Sequence, residues 1–224
     1  MIADTAARDS VAVDYYLDPF CPWVWITSRW LVEIAKWRKL DIRWRSFSGV
    51  IRDGGIRLSP KLPVERRAAA LAARKMAGHV LQVFEAVRAE HGEDAVGRVY
   101  TEFGRRVHAP GRLPGVTPNL LRDALDAADL DVGIEDRAAD PVWQAAVKTS
   151  TDDALAMVGA DAETPIVVLA DSGPIGVSGP MLSWVPTGDA ALRLWDAMRT
   201  LAEEPAFGEV RRRRQWPIRF PILD

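Results

Sequence analysis

Between residues 11 and 47 the hydrophobic period changes twice, and no other stretch constrains the fold as tightly. Val11-Ala12-Val13-Asp14-Tyr15-Tyr16-Leu17 alternates and is rich in β-branched and aromatic residues, which is the signature of a strand. Asp18-Pro19 ends it. From Pro22 to about Lys39 apolar residues recur at three- and four-residue steps, namely Trp23, Ile26, Trp30, Ile34 and Trp37. That spacing predicts a helix whose tryptophan stripe faces the core, with Trp23 as the exception at an exposed first turn. Asp41 to Phe47 alternates again, Ile42 and Trp44 opposing Arg43 and Arg45. A strand, a helix and a strand in so short a stretch imply a parallel pair with a right-handed crossover.

The next hundred or so residues have a different character. Val64 to His91 is alanine-rich and reads as one long or broken helix, and Glu93 to Val107 reads as a second. Thr117-Pro118 and Asp140-Pro141 each pair an N-cap residue with proline at the first helical position, predicting two more helix starts. The last of these runs to about Val158, with Gly159 as its C-cap. Strands then return as Ile166-Val167-Val168-Leu169 and Ile175-Gly176-Val177, joined through Asp171-Ser172-Gly173, a hairpin signal. Thr187 to Glu203 makes a closing helix. This order predicts an α/β fold in two units: residues 1–58 with 160–224, and an all-helical insertion, 59–159, between the second and third strands.

Composition narrows the function classes. With 224 residues, 48% hydrophobic and 27% charged, the chain can bury a sizeable core. Its 29 basic and 31 acidic residues leave no field that would gather nucleic acid. The basic run Arg211 to Arg214, without aromatic or glycine companions, reads as a solvated face. No apolar run reaches the ~18 residues of a membrane span, and residues 1–10 carry two acids and no apolar stretch of the signal-peptide kind. A single cysteine, Cys21, cannot make an internal disulfide, so these features together point to a reducing cytoplasm.

Cys21 is also the chief chemical candidate. It is placed at the N-cap of the first helix, with Pro22 following, where backbone N–H groups and the helix dipole favour thiolate and lower the thiol pKa. A small buried hydrophobe is the competing reading, since lone cysteines commonly pack in cores. Trp23, two residues on, is placed to wall a ligand site. Of three histidines, His79 is mid-helix, His91 precedes Gly92 at a helix end, and His108 ends Gly104-Arg105-Arg106-Val107-His108, where a capping role is the alternative to chemistry. No histidine pair has metal-site spacing, and no glycine-rich phosphate loop occurs, so no metal, flavin or nucleotide is expected.

The element order resembles the thioredoxin fold with a helical domain inserted before the third strand. Specific motifs sharpen this: Asp18-Pro19-Phe20-Cys21-Pro22-Trp23, Trp25-Ile26-Thr27-Ser28-Arg29-Trp30, Gly104-x-Arg106-Val107-His108, Thr164-Pro165, and Gly179-Pro180-x-Leu182-Ser183. Together the chain resembles the DsbA-like subgroup typified by mycothiol-dependent nitroreductases of actinobacteria. The resemblance implies a cis peptide at Thr164-Pro165 beside the cysteine, where Thr164 and Pro165, with Pro22 and Trp23, would bind an extended thiol. It implies His108 as a proton donor or thiolate partner, and mycothiol or a similar small thiol as cosubstrate.

Two departures qualify the resemblance. The family's best-known members carry Cys-Pro-Trp-Cys, whereas here the fourth position is Val24, which leaves only a monothiol cycle through a mixed disulfide on Cys21. Ile166 stands where the family has threonine, which predicts a more apolar ligand site. The expected partners are a small thiol and a small electrophilic or disulfide substrate, with a homodimer left open. Two other readings also stay open. One is a thiol-dependent isomerase or transferase of the kappa glutathione transferase or hydroxychromene-carboxylate isomerase type. The other is a non-catalytic binding protein in which Val24 marks decay of the redox site.

Overall fold

The structure, a computed structural model, describes residues 10–60, 62–108, 117, 119–171, 173–210, 212 and 216–223. The opening unit is β1 (Val11–Leu17), α1 (Pro22–Ala35) and β2 (Leu40–Ser46). A short α2 (Gly49–Arg52) leads to α3 (Val64–His91), α4 (Glu93–Val107), α5 (Leu120–Ala127), α6 (Ile134–Arg137) and α7 (Pro141–Val158). Then come β3 (Ile166–Leu169), β4 (Ile175–Ser178) and α8 (Gly188–Ala202). The sheet order is β2-β1-β3-β4, with β1 parallel to β2 and antiparallel to β3, and β3 antiparallel to β4. This is the α/β thioredoxin-like arrangement that the element order predicts, with α2 to α7 between the second and third strands.

Strand pleating sorts the core. Val11, Val13, Tyr15 and Leu17 of β1 point into the larger cluster with Trp30, Leu31 and Ile34, while Tyr16 joins Phe47, Ala154, Ile166 and Val168 on the other face. Every residue of β3 is buried, as befits an inner strand covered on both faces. Ile166 is fully buried in that second cluster, so it fills the core and does not make the ligand site more apolar.

The α1 stripe differs from expectation in an instructive way. Trp37 fits the helical spacing but lies beyond the helix, which ends at Ala35, and it is 61% exposed. Trp25, off the stripe, is fully buried, because residues 24–31 of α1 are covered on every side and no wet face remains to define a period. Helix α4 accommodates this burial through two glycines seven residues apart, on one face. A methyl on Gly104 would overlap the Trp25 ring, and one on Gly97 would collide with Trp44. Each glycine costs a helix interior about 1 kcal/mol. Burying an indole returns more, on the order of 4 kcal/mol, so close approach wins.

Asp140 caps α7 by accepting from Val142 N–H at 2.9 Å, and Gly159 ends that helix at φ 94°. α5 starts at Leu120 with Asn119 as N-cap, two residues later than Thr117 would place it, and Pro118 lies outside the described residues. Arg212 is exposed, but the rest of its basic run and residues 1–9 also fall outside them. Among the described residues no helix is long and apolar enough to cross a membrane.

Candidate active site

The chain folds a tight loop between β1 and α1 around one side chain. Cys21 N–H donates to the Asp18 carbonyl at 3.1 Å, and Phe20 N–H donates to Asp18 Oδ1 at 3.3 Å. Cys21 itself is extended, φ −79° and ψ 116°, and stands at the N-cap of α1 with Pro22 as the first helical residue. Proline loses nothing there, since its missing N–H would have no helical partner. Cys21, Pro22 and Trp23 are all half-buried.

A second segment closes on the sulfur and a third braces it. Thr164 Oγ1 donates to Cys21 Sγ at 3.6 Å, and the Thr164–Pro165 peptide is cis. The Pro165 carbonyl accepts from Gly179 N–H at 2.7 Å, and Gly179–Pro180 is cis as well. Thr27 Oγ1 on α1 then donates to the Pro180 carbonyl at 2.8 Å, which ties this pair of loops to the helix that carries the cysteine. The structure thus brings together Cys21, Pro22, Trp23, Thr164 and Pro165 at one corner of the sheet.

The electrostatics of that corner correct one expectation. Burial, and next the Asp18 carboxylate, push the Cys21 thiol up to about 11 instead of lowering it, although hydrogen bonds from Thr164 and from the Val24 and Trp23 N–H groups act in the other direction. The helix-end donors are present, but desolvation and a like charge three residues away outweigh them. Asp18 shares the constraint: burial raises its own carboxyl pKa, against the pull of Arg74. In the resting protein the sulfur is therefore a thiol at neutral pH.

His108 lies elsewhere than a thiolate partner would. It follows α4, is buried, and stacks on Trp25 at 5.7 Å and on Phe220 at 5.6 Å between ring centroids. Its Nε2 lies 3.3 Å from the Pro19 carbonyl, and burial drives its pKa down to about 4. The imidazole is neutral and its Nε2–H donates to the loop that ends in Cys21. Trp25 is the residue that sequence reasoning misses here. Gly104 next to the Trp25 ring and His108 four residues on were the available signal, since a helical glycine that precedes a buried cap marks a close approach.

Val24, where a second thiol would stand, is fully buried, and its carbonyl accepts from Tyr15 Oη at 2.7 Å. Cys21 is a free thiol. Among the described residues no cluster of three or more metal-ligating side chains occurs.

Comparison with known proteins bears on the fold and the family. A Mycobacterium tuberculosis protein, Rv2286c, is 28% identical over 214 residues, covering 89% of this chain and 81% of its own. Among solved structures, the "probable DsbA oxidoreductase SCO1869 from Streptomyces coelicolor" superposes with a TM-score of 0.57 at 17% identity, over 89% of this chain and 94% of that one. The cytosolic disulfide reductase DsbM of Pseudomonas aeruginosa, solved with GSH, gives 0.54 at 14% identity, over 84% and 99%. At those identities the structures speak for the fold. The family model described as "Rv2466c-like: Mycothiol-dependent nitroreductase Rv2466c" matches residues 20–212, most of the chain including Cys21, and the protein therefore belongs to that family of thiol-dependent oxidoreductases.

Proposed function

We propose that the protein is a monothiol oxidoreductase that works with a small thiol of the mycothiol type through a mixed disulfide on Cys21. The observation that carries this reading is the 3.6 Å approach of Thr164 Oγ1 to the sulfur of a lone cysteine at a helix start. In the first step the Cys21 sulfur bonds to one sulfur of an incoming disulfide, and that S–S bond breaks. The departing thiolate takes up the proton that Cys21 gives away. A second small thiol then attacks the adduct and regenerates the Cys21 thiol, releasing a new small disulfide. Reduction of a nitro compound draws its two electrons from two small thiols, which leave as their disulfide while one oxygen leaves as water.

The same reading assigns the flanking groups. Thr164, Pro165, Pro22 and Trp23 would line the small thiol's path, and Thr164 Oγ1 would hold the sulfur by hydrogen bonding. His108, neutral and turned to the Pro19 carbonyl, acts as a positioning residue for the loop and not as the proton donor that the family resemblance implies. Residues 59–159 form a helical unit beside a thioredoxin-like unit of 1–58 and 160–224, and a glutathione- or mycothiol-rich cytoplasm is the fitting compartment.

Intact mass after incubation with oxidised mycothiol or oxidised glutathione tests the proposal. One adduct per chain is expected on wild type and none on Cys21→Ser. Full catalytic turnover by Cys21→Ala with a thiol cosubstrate would instead support an isomerase or transferase that only binds its thiol. Absence of any adduct on folded wild type would point to a binding protein.

A further inference from the structure

Arg29 is an arginine held out of water without an anion. It sits in the third turn of α1 and is only 6% exposed. Its Nε donates to Ser28 Oγ at 3.1 Å, and Nη1 donates to Thr101 Oγ1 at 2.7 Å. Nη2 is buried and has no hydrogen-bond partner. No carboxylate pairs with it among the described residues; instead the guanidinium lies 4.4 Å from the Trp25 ring centroid and within 6.0 Å of those of Trp44 and Tyr100. Aromatic faces offset part of the desolvation of a cation, but they supply no acceptor for an N–H. Removing the charge is not open to it, because its pKa, lowered by burial to about 10, still leaves it protonated at neutral pH.

Arg29 lines a cleft of about 1200 Å3 between α1, α4 and the C-terminal segment 219–223. Trp44, Trp184, Phe220 and Leu223 make the apolar part of its wall, and Trp184 and Ile222 are exposed at 42% and 83%. Eight residues separate Arg29 from Cys21, about 12 Å along the helix axis, so the cleft is distinct from the cysteine corner. Concave space that sets aromatic and aliphatic walls beside a few polar groups is how small-molecule sites are built.

We propose that this cleft binds a small aromatic or aliphatic monocarboxylate, its carboxylate on the Arg29 guanidinium and its apolar body against Trp44, Trp184 and Phe220. Five cations line the cleft, Arg29, Lys36, Arg98, Arg105 and Arg219, against four carboxylates, Glu33, Asp94, Glu102 and Asp129, so the lining carries one net positive charge and suits a monoanion over a more highly charged ligand. The planar fork of arginine suits a carboxylate better than a point cation would. The inference is independent of the thiol chemistry at Cys21.

Calorimetric titration of the full chain with 1-naphthaleneacetate and its uncharged isostere 1-naphthaleneacetamide tests it. One acid should bind per chain, at least about tenfold tighter than the amide, the usual scale for one charge-assisted contact. Arg29→Met should bring the acid down to the amide's affinity and leave the amide unchanged, and Cys21→Ser should alter neither. Should Arg29→Met fail to fold, Trp184→Ala, at an exposed wall position, serves in its place and should weaken both ligands alike. Equal binding of acid and amide to wild type, undiminished acid binding by Arg29→Met, unchanged binding of both by Trp184→Ala, or no binding at all would overturn the proposal.

Discussion

Helix α1 carries two ionisable groups that the fold shields from water, half-buried Cys21 at its N-terminal end and buried Arg29 in its third turn, and the two respond in opposite ways. Cys21 can give up its charge, so burial and Asp18 leave it a thiol, with donors from Thr164 and from the Val24 and Trp23 N–H groups waiting for the anion. Arg29 cannot, so it stays charged against tryptophan and tyrosine faces, with Nη2 unsatisfied. The difference teaches what each site lacks. The cysteine corner needs a partner that makes its anion worth forming, such as an electrophilic sulfur, whereas the arginine cleft needs an anion brought from outside.

Changes at the cysteine end should have the largest effects. Cys21→Ser should abolish mixed-disulfide formation altogether, read by intact mass, while leaving ligand binding at Arg29 intact. Val24→Cys restores a second thiol one turn along the helix. The oxidised variant should then lose about 2 Da by closing an internal disulfide, and the yield of small-thiol adduct should fall about tenfold or more, since an intramolecular thiol competes at high effective concentration. An undiminished adduct with no mass loss would show that position 24 cannot reach the sulfur.

His108 lies beside both regions, since it stacks on the same Trp25 that supports Arg29 and holds the Pro19 carbonyl. Its folded pKa of about 4 lies below the ordinary 6.5, so the unfolded chain binds the extra proton. The stability linked to this group is therefore full above pH 6.5 and is lost as the pH falls towards 4, by about 3 kcal/mol at most. Denaturant titrations of wild type across that window should show the loss, and His108→Phe should flatten it. An equally steep loss in His108→Phe would assign the acid sensitivity elsewhere. Gly104→Ala should cost about 1–3 kcal/mol by forcing Trp25 off the helix, seen as a lower denaturation midpoint. The smallest effect belongs to Thr164→Val, which removes one donor to Sγ and should slow adduct formation about fivefold, the worth of one ordinary hydrogen bond.

The sheet and most helix ends were legible in the sequence because local signals and tertiary structure agree there. β1 and β2 alternate, Asp140-Pro141 both caps and starts a helix, and Gly159 stops it. What failed did so where a neighbour far along the chain decides. Trp37 keeps the period but has no helix beneath it, and Trp25 breaks the period yet is buried because α4 reaches it at Gly104. Cys21 at a helix start was legible, as was Asp18 three residues earlier. Their combined effect on the thiol was not, because the packing over the sulfur comes partly from Thr164, which is 143 residues away. Arg29 was hidden for the same reason: an arginine in a helix reads as a surface residue until Thr101 and Tyr100 of α4 close over it.

The central claim, that Cys21 is a half-buried thiol able to form mixed disulfides, is tested most directly by the pH dependence of its reaction with oxidised mycothiol, followed by intact mass from pH 6 to 10. The thiol's position near 11 predicts a rate that climbs about tenfold per pH unit across the range without levelling, and no adduct at any pH in Cys21→Ser. A rate already flat near pH 7 would contradict the electrostatics, and no adduct at any pH on the folded protein would contradict the chemistry.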